Sequence, residues 1–260
     1  MTIELAVRVG SFLAILTIMG IAESVWPRRV LATPKGQRWF ANISVSVLST
    51  LIVRILLPLA PAGIAIYCAE HGIGLLNLVH IPFWLAFMST VQLLDMLIYW
   101  QHVLFHRIPI LWRIHRMHHA DTDIDASTGI RFHPIEIALS MLIKISAIIL
   151  LGPPASAVIV FEILLNGCAL FNHANVRLPV TFDALLRLIA VTPDMHRVHH
   201  STDMREANMN YGFNFPWWDR LFGTYKDQPD LGHTDMRIGL NIFRDPEFIR
   251  LTKMLTIPFK

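Results

Sequence analysis

Charge is scarce in this chain. Of its 260 residues only 16% are Asp, Glu, Lys or Arg, against 54% hydrophobic, and the mean hydropathy is +0.49. A soluble domain of this length needs more charge than that to cover its surface, so a water-soluble globular protein is excluded. Cysteine is nearly missing as well, and two residues cannot staple a disulfide scaffold. The abundance of apolar residues excludes disorder. A net charge of +3 without any basic run predicts no nucleic-acid partner. What remains is a multi-pass integral membrane protein.

The little charge present is unevenly spread. Ala174 to Lys260 holds 21 charged residues in 87, a density usual for soluble protein, while the first 173 residues hold 20. Roughly 20 apolar residues cross a bilayer core of about 30 Å as a helix. Spans are predicted over about 5–25, 41–69, 81–100, 135–151 and 155–171. The first does not read as a signal peptide, because Glu4 precedes the apolar run and no small-residue cleavage pattern follows it. The second carries Arg54 and is broken by Pro58 and Pro61. The last two are joined by Gly152-Pro153-Pro154, strong turn punctuation, and read as a hairpin. Lys144 and Glu162 lie equally far from Pro153, so an intramembrane ion pair is predicted between them. Arg28, Arg29, Lys35 and Arg38 follow the first span, and Arg107, Arg113, Arg116 and Arg131 follow the third. The loop after the second span has no Lys or Arg, which puts the Arg-rich segments and the C-terminal third in the cytoplasm. Residues 178–191 read as an amphipathic helix, lying on the membrane surface or buried in a cap.

Histidine is the abundant exception. Eight of 13 histidines fall within residues 102–119 and 196–200, arranged as HVLFH (His102, His106), HRMHH (His115, His118, His119) and HRVHH (His196, His199, His200). Positions i, i+3 and i+4 share one helical stripe, so each group points its rings together. Eight protonated imidazoles would repel, and eight neutral ones could not all find partners in a dry core. Metal coordination resolves both problems, and the number of donors exceeds one ion, so two metals are expected. His173, in FNHAN, and His133, in RFHPIE, lie on the same side as these groups and are further candidate ligands. Asp95, seven residues before His102, together with Glu136, Asp194 and Asn175, could accept or make hydrogen bonds around metal-bound rings. His71 and His80 sit in the opposite loop, and His233 in a polar tail reads as solvated.

The HX3H, HX2HH, HX2HH order, with RFHPIE, FNHAN, TPDMHRVHHS and NYGFNFPWWDRLFGTY, strongly resembles the sterol desaturase and fatty acid hydroxylase superfamily of membrane-bound di-iron oxygenases. The resemblance runs from about Asp95 to Tyr225. It implies an all-α fold: a bundle of four to five membrane-embedded helices, the last two a hairpin, under a cytoplasmic helical cap that carries the histidine boxes. By domain, 1–94 would hold the N-terminal spans, 95–225 the catalytic unit and 226–260 a tail. The implied ligands are His102, His106, His115, His118, His119, His173, His196, His199 and His200. Some relatives carry a further histidine where this chain has Ala169, so His133 is the candidate tenth donor; without it, one metal should be more open. The implied activity is O2-dependent hydroxylation or desaturation of a lipid C–H bond at two Fe ions. The lipid could be a sterol, fatty acyl chain, carotenoid or ether lipid. Electrons would come from a separate cytochrome b5-, ferredoxin- or reductase-type protein, since no fused haem domain is seen. Zn could occupy the same site on purification, and a zinc-dependent membrane hydrolase is the alternative reading.

Overall fold

A computed structural model describes residues 3–58 and 60–260. Among them the chain is all-helical, with two isolated β-bridges and no strand. The apolar runs become α1 (Ile3–Val25), α2 (Lys35–Leu56), α3 (Pro61–Glu70), α4 (Leu75–Leu78), α5 (Phe83–Arg107), α6 (Pro109–His119), α7 (Pro134–Leu151) and α8 (Ala155–Asn172). Five of these stretches are long and apolar enough to cross a membrane. Proline opens α3, α6 and α7, where its missing N–H costs nothing. The second predicted span is divided: α2 is followed by α3, a separate short helix packed on α7 and α8. Pro58 and Pro61 account for the break, because neither can donate to a continuing helix; Leu59, between them, lies outside the described residues.

α7 ends at Gly152, whose φ of +61° suits a residue without Cβ. A Cβ there would sit 2.3 Å from the Ile73 carbonyl oxygen, so the hairpin turn and the 71–80 loop meet backbone to backbone. Within the hairpin Lys144 Nζ donates to Glu162 Oε1 at 2.6 Å, the predicted ion pair. The other Glu162 oxygen is 3.0 Å from Arg8 on α1, which makes the pair a triad.

α1 packs on α8, α2 on α7, and α5 on both α7 and α8. The C-terminal ends of α1, α5 and α8 and the N-terminal ends of α2 and α7 share one side. There Arg28 meets Asp194, Thr33 N–H donates to Asp123, and His173 meets His118. The segments after α8 cover that side as α9 (Val180–Leu186), α10 (Pro193–His199), α11 (Met204–Ala207), α12 (Trp217–Leu221) and shorter turns. Phe182, Leu185, Leu188 and Ile189 on and after α9 are exposed, so this amphipathic segment is not a buried cap helix. Its apolar face suits a lipid surface.

Candidate metal centre

Four elements deliver the histidines. The last two turns of α5 carry His102 and His106, and α6 carries His115, His118 and His119. The residue ending α8 is His173, while α10 and its cap supply His196, His199 and His200. Gly129, in a short 3-10 turn (Ala126–Ile130), lets that turn press on α8: a Cβ there would lie 2.3 Å from the Ala169 carbonyl oxygen. The contact seats the end of α8 beside α6.

The rings converge. One nitrogen from each of His102, His106, His115, His119 and His199 forms one group, and one from each of His118, His173, His196 and His200 forms a second. Within each group the nitrogens lie within 4.8 Å of one another. All nine residues are buried, five of them with no exposed surface.

Hydrogen bonds decide which nitrogen faces inward. Nδ1–H of His102 donates to the Tyr211 carbonyl (2.8 Å), that of His199 to Met209 (2.8 Å) and that of His173 to Ala169 (2.7 Å). His118 Nδ1–H donates to the Arg131 carbonyl at 3.3 Å, and His115 Nδ1–H to Glu136 Oε1 at 2.7 Å. A neutral imidazole has one N–H, so the Nε2 atoms of these rings are bare acceptors. Yet Nε2 of His173 lies 3.1 Å from Nε2 of His118 and 3.1 Å from Nε2 of His196. His118 and His173 thus present two lone pairs to each other with no proton between them. Donors about 2.1 Å from one cation sit roughly 3.0–3.4 Å apart, so a shared metal ion removes the repulsion and fits the spacing. Burial first, then repulsion from neighbouring imidazoles, holds His118, His119, His196, His199 and His200 well below the ordinary imidazole value. Burial likewise lowers His173, to about 4. Neutral rings are what a metal requires.

Not every expected site residue joins them. His133, the candidate tenth donor, is outside both groups: it caps α7, its Nδ1 accepting from Ile135 N–H at 3.1 Å. A helix start leaves N–H groups without partners inside the helix, and the His133 ring, placed just before Pro134, satisfies that of Ile135. Asp95 shares a face with His102 but accepts from Trp218 Nε1–H at 2.7 Å, while His102 takes a carbonyl instead. Asp194 turns away from His196 to pair with Arg197 and Arg28. Asn175 clasps the backbone of Arg29 through both its side-chain atoms. Of the four polar residues expected around the rings, Glu136 alone bonds one. His233 is buried rather than solvated, 3.6 Å from Asp194.

Two supporting devices had no signature in the sequence. Arg38, at the start of α2 and completely buried, donates to Asp121 (2.8 and 2.9 Å), Asp125 (2.5 Å) and Thr128 (3.0 Å). Burial would raise Asp121, but the Arg38 and Arg131 guanidiniums outweigh it and hold that carboxyl below the usual range. The network fixes residues 121–131 and so the Arg131 carbonyl that orients His118. In the second device, the Asp219 carboxylate of α12 accepts from Tyr211 N–H, Gly212 N–H and the Thr224 hydroxyl, each at 2.8 Å. That clamps the loop whose Met209 and Tyr211 carbonyls orient His199 and His102. Asn210 sits between them at φ +54°, a region asparagine tolerates.

A cavity of about 240 Å³ opens between α2, α5, α7 and α8 and reaches His102 and His115. Ile98, Phe105, Phe132, Leu165 and Phe213 give it an apolar lining. Ligand pockets run from about 300 to 1,000 Å³, so this one takes a section of a lipid rather than a whole molecule.

No solved structure matches this chain. It is 28% identical to the ornithine lipid hydroxylase OlsE of Rhizobium tropici, over 87% of its own length and 69% of that protein. Identity with the alkylglycerol monooxygenase of Danio rerio is 33%, over 56% of this chain but only 31% of that protein. The very-long-chain aldehyde decarbonylase GL1-11 of Oryza sativa subsp. indica is 27% identical over 64% of each chain. The fatty acid hydroxylase family model matches residues 86–224, the stretch that carries all nine converging histidines, and the chain belongs to that family.

Proposed function

We propose that this protein is a membrane-bound di-iron oxidoreductase that hydroxylates or desaturates a C–H bond of a lipid, using O2 and electrons from a separate protein. The carrying observation is the pair of facing, proton-free imidazole nitrogens within two buried groups of five and four histidines. A pair of redox-active ions would supply the oxygen chemistry that no side chain can. His102, His106, His115, His119 and His199 would hold one ion, and His118, His173, His196 and His200 the other. With His133 elsewhere, the four-donor group is the more open. The carbonyls of Tyr211, Met209, Ala169 and Arg131, with Glu136, keep the rings in the donor tautomer. The cavity lets a lipid segment approach His102 and His115 from the bilayer, and the buried surroundings keep bulk water out. The relatives, an ornithine lipid hydroxylase, an alkylglycerol monooxygenase and a very-long-chain aldehyde decarbonylase, support a lipid as the molecule oxidised. The basic residues Arg28, Arg29, Lys35 and Arg38 gather at the histidine end, which supports a cytoplasmic site.

Lipid mass spectrometry of membranes with and without the protein tests this reading, alongside metal analysis of the purified chain. Two metal ions per chain and an oxygen-dependent product are expected. His118→Ala should lower the metal content to about one ion, abolish turnover and leave membrane insertion intact. Turnover under strict anaerobiosis without reductant would overturn the reading and point to a zinc hydrolase.

A further inference from the structure

The exposed apolar surface of α9 does not stop at its own end. Trp217 and Leu221 on α12 are exposed as well, as is Phe222, which caps that helix. Side chains of α12 fasten the two helices together: Trp217 Nε1–H donates to the Leu188 carbonyl at 2.7 Å, and the Arg220 guanidinium to the Arg187 carbonyl at 3.1 Å. Val180, Leu185 and Leu221 are 85%, 67% and 68% exposed, which leaves most of each side chain uncovered. The polar groups of this face are already satisfied from within. The carbonyls that end a helix normally turn to water. Here Leu185 accepts from Leu188 N–H at 3.1 Å and Leu186 from Ala190 N–H at 2.8 Å, while Arg187 and Leu188 take the two α12 side chains. The stretch 178–191 holds two charged residues, Asp183 and Arg187, which pair at 2.6 Å with the guanidinium buried. Hydrocarbon demands such internal pairing, whereas water does not.

The height of α12 against the bilayer follows from α5. Trp84 and Trp100, both exposed, mark the two ends of its apolar stretch, as interfacial aromatics do. They stand about 24 Å apart along the helix, which places Trp100 at the edge of a bilayer core roughly 30 Å thick. The Phe222 ring packs against Trp100 at 4.8 Å and against Tyr99 at 5.4 Å. The α9–α12 face is thus continuous with the lipid-facing side of α5. We infer that α9 and α12 form one foot of the cap, set into the acyl layer of the leaflet nearest the histidines, and that lipid is the partner of this face. The seating holds whatever reaction the histidines support. It also puts the bilayer directly behind Asp219, which α12 carries and which clamps the loop of the Met209 and Tyr211 carbonyls.

Spin labels on the full-length protein in phosphatidylcholine nanodiscs test the seating. In a background of Cys68→Ala and Cys168→Ala, a nitroxide is attached at Leu185→Cys, at Leu221→Cys or at Arg205→Cys. Arg205, a charged side chain 83% exposed, serves as the reference in water. Power saturation compares collisions with O2, which concentrates among acyl chains, and with a nickel chelate, which stays in water. The labels at positions 185 and 221 should favour O2 over nickel several-fold more than the label at 205. Val180→Cys and Ile189→Cys repeat the reading should either of the first two substitutions disturb the fold. Labels on the α9–α12 face that meet nickel as freely as the one at 205 overturn the inference. So do labels shielded from both reagents and broadened by one another, the mark of a second copy of the chain covering the face.

Discussion

The Lys144–Glu162 contact in the α7–α8 hairpin permits an asymmetric test of how charge is held inside this bundle. Glu162 has a side chain 2% exposed and binds two cations, Lys144 at 2.6 Å and Arg8 at 3.0 Å. Lys144, 10% exposed, has Glu162 as its ion-pair partner among the described residues. Arg8 is 26% exposed and is also held by Glu4 at 3.2 Å. Lys144→Met therefore leaves the carboxylate still paired, at a cost of about 1–2 kcal/mol. Glu162→Gln strands a buried ammonium, and breaking a buried pair in that way costs about 3–5 kcal/mol. In the double variant the stranded charge is gone, so it should be no less stable than Glu162→Gln alone. The coupling is expected at about 1–3 kcal/mol. Denaturant titration in mixed micelles measures all four corners. Additivity within about 0.5 kcal/mol would refute the reasoning, as would a larger loss from Lys144→Met than from Glu162→Gln.

Two further outcomes follow from the supporting devices. Arg38→Gln removes the guanidinium that bonds both Asp121 and Asp125, leaving Arg131 as the cation near Asp121, and should cost about 3–5 kcal/mol, with Asp121→Asn in the same chain restoring part of it; a loss under about 1 kcal/mol in the same titration would show the network to be incidental. Burial pushes Asp219 up to about 6, above the value of about 3.9 for an unfolded chain. A raised folded value means its contribution is complete below about pH 4 and is lost as pH rises through 6, at most roughly 3 kcal/mol. Asp219→Asn cannot titrate, so the metal-free parent should lose stability relative to this variant between pH 4 and 7. A constant difference in Tm over that range would count against the assignment.

Periodicity and punctuation made much of the molecule legible. The i, i+3, i+4 spacing of the boxes specified which rings share a stripe, and α6 and α10 deliver them as expected. Gly152-Pro153-Pro154 specified the hairpin, and the equal offsets of Lys144 and Glu162 then located their contact, since both follow from residues close in sequence. Arg8 was not foreseeable in the same way. It enters from α1, more than 130 residues earlier, and nothing in its surroundings names a partner.

The same distinction explains the misplaced carboxylates. A helical period says which face a residue occupies, not what will occupy the space opposite. Asp95 does lie on the His102 face, yet the group packed against it is an indole from α12. His102 meanwhile finds a main-chain carbonyl, whose position depends on the Asp219 clamp and on the left-handed turn at Asn210. Carbonyls carry no residue identity, so four of the five ring-orienting acceptors are invisible in a sequence by their nature. Glu136 was readable because its side chain does the accepting. His133 misled for a related reason: its place beside Pro134 satisfies a helix cap and a metal-side location equally well, and the packing of α7 chose the cap. Side-chain chemistry at helical spacing is thus what a sequence of this kind exposes, while the backbone that aims the chemistry emerges only from the packed fold.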